Sequence, residues 1–126
     1  MPHDVREWPP GTVYPGEVLS ECPEAQVEID LFLLRLCQHG PSPEGFNVKP
    51  LGAKLGGLWQ CNMKVAGRQV RILYAPYGGT IVLFRIHKKS SKQEQNRAYA
   101  KAVDRKRKYE LLRKTGDNDE RPITVH

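Results

Sequence analysis

The stretch from Leu58 to Lys89, LWQCNMKVAGRQVRILYAPYGGTIVLFRIHKK, leaves little freedom in how it folds. Three runs rich in β-branched and aromatic residues, Leu58–Val65, Arg68–Ala75 and Thr80–Lys88, are separated by Ala66-Gly67 and by a PYGG turn. That pattern predicts three antiparallel strands. A two-residue connection fixes the register of the first pair. Val65 then faces Arg68, Met63 faces Val70, Cys61 faces Ile72 and Trp59 faces Tyr74, which makes one apolar face. The other face pairs Lys64 with Gln69, Asn62 with Arg71 and Gln60 with Leu73, so Lys64, Asn62 and Arg71 stand side by side. Strict alternation enforces this division, because a one-residue slip would bury the charges. The longer turn holds the third strand less firmly. Simple alternation puts Val82, Phe84, Ile86 and Lys88 on one of its faces and Ile81, Leu83, Arg85 and His87 on the other, with His87 away from the Arg71 face.

The flanking segments are helical or irregular. Residues 1–22 carry Pro2, Pro9, Pro10 and Pro15 and are expected to be irregular, with at most a short strand near Thr12–Tyr14. Pro23 suits the first position of a helix that runs to about His39 and stops at Gly40-Pro41. Val27, Leu31, Leu34 and Cys37 form one stripe of that helix, and Ile29, Leu33 and Leu36 form the next. With Phe32 they make a wide apolar face suited to a sheet. Residues 40–57 read as a Gly- and Pro-rich loop without the spacing of a phosphate loop or a dinucleotide fingerprint. From Ser91 to Lys114 the pattern is helical again. Tyr99, Ala102, Val103 and Tyr109 give a narrow apolar stripe, and Arg97, Lys101, Arg105 and Lys108 a basic one. From Thr115 the chain is polar and expected to be a mobile tail. The expected architecture is a single α+β domain over 1–126: a small twisted antiparallel sheet of three to four strands, packed by an N-terminal helix and a basic C-terminal helix.

Charge is distributed unevenly along the 126 residues. The formal net charge is +6, but residues 1–48 carry two Arg against eight Asp and Glu, whereas residues 49–114 carry seventeen Lys and Arg against three Asp and Glu. A strongly basic half points to a polyanionic partner, with nucleic acid or the ribosome first. Cys22, Cys37 and Cys61 have neither the number nor the spacing of a disulfide framework or a zinc site. Cys37 and Cys61 read as small core residues. The first ten residues lack the apolar run of a signal peptide, and no segment approaches the ~20 apolar residues of a membrane span. A reduced, cytoplasmic protein with no membrane partner is expected. Paired carboxylates, HExxH and GxSxG are absent, which removes support for glycosidase, zincin and serine-hydrolase chemistry.

The ordered set Lys49-Pro50-Leu51, Gly57-Leu58-Trp59, Lys64, Gly67-Arg68-Gln69-Val70-Arg71-Ile72-Leu73-Tyr74, Gly78-Gly79, Ile81-Val82-Leu83, Lys88-Lys89 and Lys92, followed by a basic helix, resembles the RelE superfamily of bacterial toxins. The likeness is nearest to its HigB-like, phage-associated branch and spans about residues 23–110. It implies a small antiparallel sheet packed by helices. It also implies the toxin of a type II toxin–antitoxin pair, which cleaves mRNA on the ribosome without a metal or other cofactor and is neutralised by a bound antitoxin, a small helix-turn-helix protein. On this resemblance Arg71 contacts the scissile phosphate, Lys64 takes part in catalysis, and Lys88 or Lys89 closes the site.

Metal-free RNA cleavage needs a base for the ribose 2′-OH, a cation for the charge gathering on phosphorus and an acid for the departing 5′-oxygen. Arg71 suits the cation, because its planar fork binds phosphate oxygens and stays charged. A plain ion pair is its alternative. Lys64 is a base only if neighbouring cations lower its pKa, and otherwise a phosphate partner. His87 titrates near neutrality but is assigned to the wrong face. Tyr99 either stacks on a base, donates a proton or packs a helix. Asn62, Arg68, Lys92, Arg97, Tyr99, Lys101, Arg105 and Lys108 are the candidate RNA-binding residues, with mRNA and rRNA as ligands. Two rival readings stay open. One is a phage-derived RNA- or ribosome-binding module without catalysis, favoured by Asn62 and Gln93-Glu94, which depart from the family pattern. The other is a ParE-like inhibitor of a protein target such as gyrase.

Overall fold

The Ala66-Gly67 turn forms with both residues at positive φ, 52° and 79°, the geometry that lets two strands fold back with their natural twist. In the computed structural model, which describes residues 2–116 and 120–123, the elements are β1 (Asp4–Glu7), α1 (Val18–Glu21), α2 (Gln26–His39), β2 (Asn47–Pro50), β3 (Trp59–Val65), β4 (Arg68–Tyr77), β5 (Thr80–Lys88), α3 (Lys92–Thr115) and β6 (Arg121–Pro122). The β3–β4 register is the expected one in every pair, from Val65 opposite Arg68 to Trp59 opposite Tyr74.

The sheet is larger than the sequence pattern suggested. It has six strands in the order β2-β3-β4-β5-β1-β6, and it is mixed, because β1 runs parallel to β5. The N-terminal segment is therefore not irregular. Its four-residue strand DVRE carries three charges and is held by a partner far along the chain, so no local pattern announces it. Thr12–Tyr14 is not a strand. It belongs to a helical stretch, Thr12–Glu17, kinked at Tyr14 and continued by α1. Of the tail expected to be mobile, residues 117–119 and 124–126 lie outside the described residues, and Arg121–Pro122 between them pairs with β1.

Two cores flank the sheet. On one side Ile29, Phe32, Leu33 and Leu36 of α2 pack on Cys61, Val70, Ile72, Tyr74, Leu83 and Ile86. The wide apolar face of α2 splits here. Val27, Leu31 and Leu34, expected against the sheet, are 76%, 45% and 38% exposed. A cylinder touches a sheet along one stripe, and the stripe carrying Phe32 wins: its ring meets Phe46 at 5.1 Å and Tyr74 at 5.8 Å. On the other side α3 covers Leu58, Leu73, Ala75, Val82 and Phe84 with Ala102 and Tyr109. Ser91 caps α3, its hydroxyl accepting from the Glu94 amide at 3.1 Å, and Gly116 ends the helix at φ 78°.

Two buried carboxylates tie the N-terminal segment to this frame. Glu7 Oε1 accepts the Val13 and Tyr14 amides at 3.0 and 2.9 Å. Glu17 Oε1 accepts the Ile86 amide at 3.0 Å, which satisfies the edge of β5 where β1 has ended. Its other oxygen lies 2.6 Å from Arg85 and 2.9 Å from Arg105 of α3. Removing one member of such a buried charged set leaves the others unpaired. Glu17→Ala should lower the stability of the fold by about 3–5 kcal/mol, read as a fall in the urea midpoint; an unchanged midpoint would show the clasp to be dispensable.

Candidate functional site

The third strand departs from simple alternation at one place. Leu73 lies opposite Arg85 but Tyr74 opposite Leu83, so Phe84 is an extra residue in β5. This bulge turns both Phe84 and Arg85 toward α3, and it resets the phase of everything beyond it. His87 therefore lies directly opposite Arg71, on the face from which alternation had excluded it. The Phe84 carbonyl accepts from Arg105 at 2.7 Å, so the same guanidinium that meets Glu17 also braces the bulge.

Asn62, Arg71 and His87 form one row across β3, β4 and β5. Arg71 and His87 are set beneath α3, through Tyr99 and the residues of its first turns. Asn62 Oδ1, Arg71 Nε, His87 Nε2 and the neighbouring Arg85 Nε are buried atoms with no hydrogen-bond partner among the described residues. Buried polar atoms are rarely left so, and a cluster of them marks a place arranged for something other than stability. Arg71 is only 7% exposed. Its Nη1 donates to the Tyr99 hydroxyl at 3.1 Å, which in turn donates to Gln60 Oε1 at 2.6 Å and accepts from Gln95 at 3.0 Å. Neither an acidic partner nor an open phosphate face is what holds Arg71, but a tyrosine of α3.

Beside this row, a pocket of about 250 Å³ opens between α1, the end of β5 and the first turns of α3. His87, Arg85 and Lys88 form its strand wall, Arg97 and Lys101 its helix wall, and Glu21 and Glu94 its rim. Arg85 is held by Glu17 and, at 3.7 Å, by Glu21. Lys88, Arg97 and Lys101 take part in none of the ion pairs among the described residues. Burial, reinforced by the charges of Arg85 and Arg71, pushes the His87 imidazole down to about 4, against a backbone hydrogen bond at Lys88 and the charge of Glu21. His87 is thus neutral at physiological pH, at the wall of a cationic pocket.

The other candidate residues are scattered. Lys64 and Lys89 are exposed, and Lys64 stands near the hairpin end of β3, opposite Gln69. Arg68 is exposed at the turn on the α2 face, so it is not a neighbour of Arg71. Lys92 begins α3 in solvent. Arg105, expected on a nucleic-acid surface, is instead turned inward to Glu17 and Phe84. Lys108 is exposed and paired with Asp104 at 3.0 Å. His87 was misassigned because a bulge has no signature in the alternating pattern. Gln60 and Gln95 were overlooked because a polar residue opposite Leu73, or on a helix, reads as solvent-facing. Cys22 and Cys61 are buried, and burial pushes their thiols up to about 11 and about 12, so neither is a thiolate nucleophile at neutral pH. Among the described residues no group of His, Cys, Asp and Glu is placed to hold a metal ion, and no helix is long and apolar enough to cross a membrane.

Compared with known proteins, the chain matches no family model, no curated protein and no solved structure.

The buried imidazole has a consequence for stability. His87 titrates near 6.5 when unfolded and about 4 when folded, so between those values the unfolded chain holds the extra proton. Stability is full above about pH 6.5 and falls as pH drops toward 4, by on the order of 3 kcal/mol. His87→Gln should flatten that slope relative to the wild type in urea titrations at several pH values; parallel curves would show that the imidazole is not held neutral.

Proposed function

We propose that this protein is a RelE-like toxin of a type II toxin–antitoxin pair, a cytoplasmic, ribosome-dependent endoribonuclease that needs no metal. The observation that carries the reading is the pocket that joins a buried neutral imidazole to Lys88, Arg97 and Lys101, three cations that take part in none of the ion pairs among the described residues. The α+β plan and the basic C-terminal half support it.

In this reading the RNA phosphate lies against Lys88, Arg97 and Lys101, which hold it as point charges and as a fork without regard to sequence. His87, whose Nε2 has no partner among the described residues, is the group placed to exchange a proton with the RNA, as a base toward the 2′-OH while neutral or as an acid toward the departing 5′-oxygen once a bound phosphate has charged it. Arg71 acts from behind. It holds Tyr99 in place and lends its charge to the pocket rather than clasping the phosphate. Lys64, exposed beyond this row, is a backbone contact at most. The cognate antitoxin is a further partner of the proposal. A binding module without catalysis is the second reading, favoured by one observation: the arginine that the resemblance assigns to the scissile phosphate is buried and bound to Tyr99.

The test is to add the protein to a defined mRNA, with and without translating ribosomes, and to map new 5′ ends. Cuts should require ribosomes and should fall about a hundredfold or more in Arg97→Ala/Lys101→Ala, which removes two charge-assisted contacts of ~1.5 kcal/mol or more each. Ribosome binding should weaken with salt, and the slope against log salt should drop by ~0.7 for each lost phosphate contact. Binding that keeps this salt dependence without any cut would leave the second reading in place of the first.

A further inference from the structure

We propose that the pocket between α1, the end of β5 and α3 is a proton-linked site for a tetrahedral oxyanion, a phosphate group above all, in which His87 takes up a proton as the anion enters. The inference rests on the anion-binding part of the reading above and on neither RNA cleavage nor the ribosome.

The geometry carries it. His87 is 2% exposed, lines the pocket and has no partner for Nε2 among the described residues. Each element packed around it contributes charge. Arg71 stands opposite it on β4, and Arg85 and Lys88 flank it on β5. Arg97 and Lys101 face the pocket from α3 together with Glu94, and Glu21 faces it from α1. Glu17 is turned to Arg85 and Arg105, so its charge is spent there. The uncompensated charge is positive, which holds the imidazole neutral while the pocket has no anion. An anion placed among Lys88, Arg97 and Lys101 reverses the field at Nε2. It also offers that nitrogen an acceptor, so the protonated ring gains an ion pair and a hydrogen bond together. The buried nitrogen that costs stability in the free protein becomes a donor in the bound one. At about 250 Å³ the space admits the anion with part of the group that carries it.

Linkage fixes the sign. Only the bound form holds the proton between the two pKa values, so anion affinity weakens as pH rises, by up to about tenfold per unit. Sulfate is the cleanest probe, since it has no proton of its own to exchange in this range; inorganic phosphate is the second. Calorimetry at about pH 5.5 in two buffers of different ionisation enthalpy counts the protons taken up. Wild type should bind sulfate with uptake of roughly half a proton or more, and the His87 ring resonances should titrate ~2 units or more higher with sulfate than without it. His87→Gln should bind more weakly with no uptake. Lys101→Ala, an exposed change, should weaken binding severalfold and keep the uptake. The ring titration of the unaltered protein decides the matter even where His87→Gln does not fold. Absence of sulfate and phosphate binding at millimolar concentration, binding without uptake, or uptake that survives in His87→Gln would each overturn the inference. Cleavage of mRNA alongside any of these would leave the proposed function standing. Proton-linked sulfate binding without cleavage would remove that function and leave the site.

Discussion

The carboxylate of Glu17 holds together what would otherwise be three separate pieces. It fills the exposed edge of β5 with an acceptor, meets Arg85 on the strand and draws Arg105 of α3 down beside the bulge. A charge so buried costs desolvation energy, and it is offset only because every direction around it supplies a donor. The effect is positional. Both the bulge at Phe84 and the seat of α3 depend on it, and the pocket lies between them.

From that constraint the electrostatics follow. Seating α3 over the sheet buries Arg71 and His87 in one row, and buried cations near an imidazole suppress its protonation. The helix then resolves its many basic residues into two sets. Arg105 and Lys106 turn to acidic partners, at 2.9 Å to Glu17 and 2.7 Å to Glu110, and serve the fold. Arg97 and Lys101, one turn apart, keep their charge available at the pocket. A helical wheel shows one basic stripe; the packing makes it two populations with different work.

Much of the fold was legible. The β3–β4 register, the ends of β5, the stop of α2 at Gly40 and the extent of α3 all rest on local rules: period-two alternation, a two-residue turn, a glycine terminator and helical periodicity. The candidate site was legible in its members more than in its arrangement. Asn62 and Arg71 were paired correctly because a tight hairpin fixes register. His87 was assigned to the wrong face because a single added residue at Phe84 shifts the phase of the strand beyond it. The exposed stripe of Val27, Leu31 and Leu34 misled for a related reason: apolar periodicity says which residues share a helix face, not which of two adjacent faces meets the sheet.

The sequence by itself determined the hairpin and its pairing and the two long helices, because these follow from interactions between residues close in the chain, and its composition placed a basic half after an acidic third. Tertiary structure alone decided the parallel strand at Asp4–Glu7, the clasp of Glu17, the bulge and the burial of Arg71 beneath Tyr99. Each of these joins residues far apart, where the gain comes from pairing a buried donor with a buried acceptor. Such pairing depends on where the chain has been brought in space and leaves no periodic trace in the order of its residues.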